Sequence, residues 1–199
     1  MNTPLKEIFG TIDIYLFDQI LKQRYQRDDK ILDTGCGKGR NMYWFYKNGY
    51  TIYGLDKDEK AIAIAQENYP KIKNKIEVSD LDTIPFEDDF FNHVISNAVL
   101  HFAESTEHFE TMFAELVRVV KVNGVLFIRM TSNIGIENNI DKISEGVYTI
   151  PDGSTRFLLT KELLKKLLKK HNLSFIEPLK TVNVNDLRCM STLVLRRDK

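Results

Sequence analysis

Ile31-Leu32-Asp33-Thr34-Gly35-Cys36-Gly37-Lys38-Gly39-Arg40 opens on a short apolar run and passes at once into three glycines. Glycines directly after a strand let the backbone turn tightly and approach a ligand where a β-carbon would collide. A helix starting just beyond such a loop offers unpaired amides to that ligand. The loop therefore reads as a nucleotide-type binding turn, with a plain structural turn as the alternative. The dinucleotide fingerprint needs glycines spaced G-x-G-x-x-G. Here they stand at 35, 37 and 39, and position 40 is arginine. The aspartate ahead of the loop, Asp33, would repel a pyrophosphate and suits a cationic group.

Outward from this loop, strands and helices alternate. Upstream, Leu5, Ile8, Phe9, Ile12, Tyr15, Leu16, Ile20 and Leu21 follow a helical period after Pro4, with Gly10 as an interruption. Lys30–Asp33 is a strand, 41–48 a helix stopped by Gly49, and Thr51–Asp56 a second strand. Asp58 caps the next helix, and Pro70 lies past its end. Strands are expected at Ile76–Val78, Phe91–Ser96 and Val125–Met130. A helix over Glu107–Val120 and an Asn123-Gly124 turn precede the last of these. This alternation predicts a parallel sheet covered on both faces. Thr131–Leu159 shows no sustained period and reads as a long connection of the kind that carries function. Thr160 caps a helix to Lys170, and Leu173–Ile176 and Ser191–Leu195 are two closing strands. The leucine and lysine pairs of that helix fit a sheet-covering element with snorkelling lysines better than a membrane-surface or partner-docking one.

A chain of 199 residues is most simply one domain, here read as a single domain over 1–199. Lysine plus arginine (28) equals aspartate plus glutamate (28), which gives no strong nucleic-acid signal. Cys36 and Cys189 make no disulfide framework. No apolar leader or membrane-length run is present in the sequence, so a cytoplasmic protein is expected. No metal site is expected.

From the glycine loop onward the sequence resembles the class I S-adenosylmethionine-dependent methyltransferases, the small-molecule type 11/25-like group in particular. Leu32 to Gly39 is similar to that family's first motif, and Gly54-Leu55-Asp56 falls 21 residues after Gly35, at the end of the second strand. Ser79-Asp80-Leu81 follows the third strand. Phe91 to Phe102 is similar to the fourth-strand motif, and Glu115 to Gly124 to the helix and turn before the fifth. The family's usual proline-glycine in that turn is Val122-Asn123-Gly124 here, which also turns well. The likeness covers residues 30 to 130 and carries several motifs in register.

The resemblance implies a Rossmann-like, doubly wound α/β fold with a seven-stranded, mostly parallel sheet, helices on both faces and the last strand antiparallel. It implies residues 1–29 as an N-terminal helical lid, 30–130 as the cofactor-binding core, and 131–199 as a substrate loop with closing elements. Asp33, Gly35, Cys36, Gly37, Gly39, Asp56, Lys57, Asp80, Leu81 and Asn97 are the expected cofactor-binding residues, with S-adenosyl-L-methionine as cofactor. One carboxylate at Asp56 has two oxygens for two neighbouring ribose hydroxyls. His101 is the expected proton acceptor. Tyr15, Phe102, Arg129 and Arg188 are expected on the substrate side, the arginines suiting an anionic acceptor through paired hydrogen bonds.

The chemistry expected is methyl transfer to a small-molecule acceptor, which these motifs do not name, by in-line displacement. Asn97-Ala98-Val99-Leu100 lacks the Asn-Pro-Pro-aromatic pattern of nucleic-acid amino-methylating enzymes. Two other readings stand beside it. A noncatalytic binder of adenosylmethionine or adenosylhomocysteine would keep the same motifs. A nicotinamide-dependent oxidoreductase is disfavoured by the glycine spacing. Each histidine, aspartate and aromatic singled out also has an ordinary packing or surface role to set against its functional one.

Overall fold

The computed structural model describes residues 4–199. Residues 1–3, the start of the expected lid segment, lie outside the described residues. Strand and helix alternate through the first two-thirds of the chain. Helices α1 (Leu5–Phe9) and α2 (Ile14–Leu21) precede β1 (Lys30–Thr34), α3 (Tyr43–Lys47), β2 (Thr51–Asp56) and α4 (Glu59–Asn68). Then come β3 (Ile76–Val78), β4 (Phe91–Asn97), α5 (Thr106–Val119) and β5 (Val120–Ser132).

Local signals account for the helix ends. The Asp13 side chain accepts the Tyr15 and Leu16 amides at the start of α2, and Asp58 does the same for Lys60 and Ala61 at α4. Ser105 caps α5 through the His108 amide. Gly10 ends α1 at φ 64°, as its interruption of the pattern predicts. The helix expected over 41–48 is shorter, Tyr43–Lys47, because Met42 is bonded back to Gly39 in the tail of the glycine loop.

The main sheet carries the order β10-β11-β5-β4-β1-β2-β3, where β10 is Lys180–Val184 and β11 is Arg188–Arg197. From β5 to β3 every pairing is parallel, and β11 runs antiparallel to β5. The last strand is therefore antiparallel, as expected, but the sheet has eight strands rather than seven. The outer edge of β11 is shared: β10 pairs with Arg188–Thr192, and β9 (Leu173–Phe175) with Leu195–Arg197. Pro178 lies between β9 and β10, where a missing amide donor breaks a continuous ladder.

The largest departure is in the segment read as a structureless connection. It folds into a second, three-stranded antiparallel sheet of β6 (Asp141–Ser144), β7 (Val147–Thr149) and β8 (Thr155–Phe157). Gly146 and Gly153, both at φ 82°, serve its turns. Strands of three and four residues are too short to show a period in sequence. Phe157 anchors this sheet, stacking on Phe109 of α5 at 4.4 Å. The Thr131 hydroxyl donates to the Phe157 carbonyl at 3.0 Å.

Helices cover both faces of the main sheet. Leu16, Phe45 and Ile62 of α2, α3 and α4 pack with Ile31, Ile95 and Phe127 on one face. On the other, Phe109 and Leu116 of α5 and Leu164 and Leu167 of α6 (Lys161–Lys170) pack with Leu32, Val94 and Leu126. Side chains alternate along a strand. Two residues beyond Ile31, Ile95 and Phe127, the same face presents Asp33, Asn97 and Arg129. The sheet thus delivers a carboxylate, an amide and a guanidinium to one face near the carboxyl ends of β1, β4 and β5, with Asn97 level with Arg129 and Asp33 one same-face position back, level with Ile95. Open α/β sheets bind ligands at that edge.

Candidate active site

The glycine loop is held from three sides. The Cys36 amide donates to the Leu55 carbonyl at 2.9 Å, the Gly37 amide to Asp56 Oδ2 at 2.8 Å, and the Tyr69 hydroxyl to the Gly39 carbonyl at 2.7 Å. Its glycines serve different ends. A β-carbon on Gly35 would lie 2.2 Å from Val99, and one on Gly39 2.2 Å from the Tyr69 ring. One on Gly37 would meet nothing within 4 Å. Gly35 and Gly39 are needed for packing, whereas Gly37 presents open backbone.

Beside the loop lies a cavity of about 190 Å³, called here the loop cavity. Gly35, Asp56, Lys57, Asp80 and Leu81 line it, together with Phe102 from the turn after β4. Five of the expected cofactor residues thus line one cavity, whereas Asp33, Cys36, Gly37, Gly39 and Asn97 lie outside its lining. Cys36 is buried behind the loop, and burial, with Asp33 and Asp56 nearby, pushes its thiol up. His108 and Met112 of α5 also line the cavity and were not singled out in the sequence. His108 accepts the Glu104 amide at Nδ1, and its Nε2 lies 3.2 Å from Asp82. No local motif signals it, because its place depends on how α5 crosses the sheet.

Asp33 is 1% exposed, and its Oδ2 has no hydrogen-bond partner among the described residues. Burial raises this carboxyl to about 7. Arg40 pulls it down and Asp56 adds to the rise. Both side-chain amide atoms of Asn97 are likewise buried and unpartnered among the described residues. Buried polar atoms without partners are costly unless a ligand supplies them. A carboxylate held this way fits an ammonium, Asp56 fits a ribose diol, and the open backbone at Gly37 fits close approach. The residues present therefore fit the cofactor that the sequence resemblance implies.

A second cavity, of about 240 Å³, adjoins the first. Ala98, at φ 62° just past β4, lines both. Arg129, Arg156 and Arg188 line this arginine cavity with His101, Asp152 and Thr131. Arg129 and Arg188 were expected on the acceptor side; Arg156, on β8, was not, because its segment was read as a loop. The two aromatics expected there each sit against an arginine. Tyr15 lies 5.0 Å from the Arg129 guanidinium and Phe102 5.1 Å from that of Arg156. Phe102 reaches the arginine through that contact while itself lining the loop cavity.

His101 is buried, with Nδ1 unpartnered among the described residues. Burial lowers its imidazole to about 4, and the charges of Arg156, Arg129 and Arg188 add to the shift. It is a neutral imidazole across the physiological range.

The fold and these two cavities define a class, and the comparisons agree with it. Residues 32–128, about half of the chain, match the family model described as a methyltransferase domain. An uncharacterized methyltransferase of Bacillus subtilis is 30% identical over 117 residues, covering 58% of this chain and 46% of that protein. A ubiquinone biosynthesis O-methyltransferase of Pelagibacter ubique is 28% identical over 164 residues, covering 79% of this chain and 66% of its own length. The alignments thus span about half to two-thirds of these relatives. A solved S-adenosylmethionine-dependent methyltransferase from Methanosarcina mazei superimposes with a TM-score of 0.73 at 21% identity, covering 90% of this chain and 98% of that one. Residues 32–128 are thus a methyltransferase domain of the class I S-adenosylmethionine-dependent type. No helix among the described residues is long and apolar enough to cross a membrane.

Proposed function

We propose that the protein transfers a methyl group from S-adenosylmethionine to a small-molecule acceptor. The observation that carries this is Ala98. It walls the loop cavity on one side and the arginine cavity on the other, so a donor and an acceptor bound in the two meet beside it.

In this reading Asp56 receives the two ribose hydroxyls, Asp80 and Leu81 border the base, and Asp33 and Asn97 hold the amino-acid end. Lys57, Cys36 and the glycines 35, 37 and 39 shape the loop. The bound cofactor supplies a methyl on a sulfonium, open to in-line attack by an acceptor lone pair. The residues contribute alignment and exclusion of water, because the leaving group is intrinsically good. His101, neutral and unpartnered, accepts a hydrogen bond from the acceptor's O–H or N–H and orients its lone pair, while burial and the arginines that keep the imidazole neutral leave the released proton to solvent. Residues 30–130 act as the cofactor core, 1–29 as its N-terminal cover and 131–199 as the acceptor side.

Calorimetric titration with adenosylmethionine, adenosylhomocysteine and NAD, repeated on Asp56→Ala, tests this reading. Micromolar binding of both adenosyl ligands, weakened in the variant and absent for NAD, is expected; no binding of either adenosyl ligand by cofactor-free protein overturns it. Transfer of labelled methyl to small acceptors then separates an enzyme from a noncatalytic binder.

A further inference from the structure

The chemistry of the arginine cavity goes further and specifies what kind of acceptor it takes. Three guanidiniums converge there from three strands: Arg129 from β5, Arg156 from β8 and Arg188 from the start of β11. Two have distant carboxylate neighbours. Arg129 Nη1 lies 3.6 Å from Asp13, and Arg188 Nη1 lies 3.7 Å from Asp152. Both separations exceed the roughly 2.7–2.9 Å of a charge-assisted hydrogen bond, so neither aspartate saturates its arginine. Arg156 has no carboxylate within ion-pair distance among the described residues, and one of its side-chain N–H groups donates to the Thr155 carbonyl. Arg129 Nε is buried without a partner among the described residues.

Three guanidiniums and the Asp152 carboxylate line the cavity, and Asp13 stands against Arg129 from outside its lining, so the group as a whole carries one excess positive charge. His101 contributes none, because burial and the arginines keep its imidazole neutral. A neutral acceptor would leave that excess charge uncompensated, and a dianion would exceed it. A planar monoanion matches both the charge and the fork geometry of a guanidinium. The volume of about 240 Å³ limits it to a small metabolite.

We propose that the methyl acceptor carries a single carboxylate, held by Arg129, Arg156 and Arg188, which directs its nucleophilic atom past Ala98 toward the loop cavity. This rests on the methyltransferase reading of the neighbouring cavity. A phosphate monoester shares the oxyanion chemistry and is the alternative source of negative charge.

The test follows arginine Nε–Hε resonances of labelled protein saturated with adenosylhomocysteine. The added probes are benzoate, its neutral match benzamide, and phenyl phosphate. Benzoate is expected to shift the pocket arginine signals, benzamide to leave them in place, and phenyl phosphate to bind more weakly. Arg156→Gln and Arg188→Gln should each weaken benzoate binding tenfold or more while adenosylhomocysteine affinity stays unchanged. The parallel readout is labelled methyl transfer to small hydroxy and amino carboxylic acids and their amides, with transfer expected to the acids only. Equal response to benzamide, preference for phenyl phosphate, unaltered binding in both variants, or no response to benzoate each overturns the carboxylate assignment. Loss of adenosylhomocysteine binding with benzoate binding intact sinks the methyltransferase reading instead, so the two failures are distinct.

Discussion

The Asp56 carboxylate holds the Gly37 amide, accepting it at Oδ2 over 2.8 Å, while Oδ1 takes the Asp58 amide at 2.9 Å. One side chain thus joins the end of β2 to the glycine loop and to the cap of α4. A carboxylate accepts about four hydrogen bonds, so two amides leave room for two ligand hydroxyls. Asp56→Ala should weaken adenosylhomocysteine binding by about a hundredfold, or about 2.8 kcal/mol, since both the hydroxyl contacts and the loop anchor go. Asp56→Asn keeps one acceptor and should fall between. Calorimetry on the three proteins checks the ranking, and wild-type affinity in the alanine variant would refute it.

The glycines of the loop separate binding from folding. Gly37 and Gly39 both have positive φ, 54° and 86°, so alanine at either carries a backbone penalty of about 1 kcal/mol. Only at Gly39 does a methyl also collide, with the Tyr69 ring at 2.2 Å. Gly39→Ala should therefore lower the denaturant midpoint by clearly more than Gly37→Ala. Gly37→Ala should fold nearly normally and lose cofactor affinity at least tenfold, because its new methyl points into free space beside the loop. Equal stability losses in the two would contradict this division.

Arg118 acts on the site from behind. It donates to both oxygens of Glu115 at 2.6 and 2.7 Å, to the Phe86 and Ile84 carbonyls at 2.7 and 2.8 Å, and to Asp88 at 2.9 Å. Glu115 in turn accepts the Ile84 amide at 2.8 Å. The pair fastens the segment after Asp80 and Leu81 to α5. Arg118→Met keeps the aliphatic stem and removes these donors. It should lower stability by about 2 kcal/mol by urea titration, from several charge-assisted bonds less solvent compensation. It should also weaken adenosylhomocysteine binding several-fold, although Arg118 lines neither cavity. Unchanged ligand affinity would confine its role to folding.

The legible parts of the molecule were those where a local rule fixes the residue. Gly35, Gly37 and Gly39 after an apolar run, Asp56 at the next strand end, and the caps Asp58 and Thr160 all announce themselves within a few positions. The parallel stretch Val125-Leu126-Phe127-Ile128 of β5 is a continuous apolar run and reads clearly. Arg156 did not, because its place is set by tertiary return: β8 comes back against β5 through Thr131 and the Phe157–Phe109 stack. β9 was expected at Leu173–Ile176, but β10 was missed for a similar reason, since it is short and owes its pairing to β11. Arg129 and Arg188 could be picked out singly, but their convergence with Arg156 could not.

Asp33 makes a prediction about pH that binding and stability share. Burial holds its carboxyl at about 7 in the folded protein, with Arg40 opposing and Asp56 reinforcing the rise. An unfolded aspartate titrates at about 3.9. Below both values the proton is bound in either state, and Asp33 imposes no pH dependence. Between about pH 4 and 7 the unfolded chain loses this proton while the native one keeps it, so stability falls as pH rises. Above 7 the loss is complete. Asp33→Asn has no such titration, so without ligand it should be more stable than wild type at pH 8 by a few kcal/mol, because each pH unit between the two titration points costs the wild type roughly 1.4 kcal/mol. That advantage should shrink to nothing near pH 4 as measured by urea midpoints. Binding runs the other way, because an ammonium needs the ionised carboxylate. Wild-type affinity for adenosylhomocysteine should climb toward tenfold per pH unit from 5.5 to 7 and then level, with a proton released on binding below 7. The asparagine variant should bind weakly with a flat profile. A variant that gained no stability at high pH, or kept the wild-type slope, would show that Asp33 is not the group that meets the ligand's positive charge.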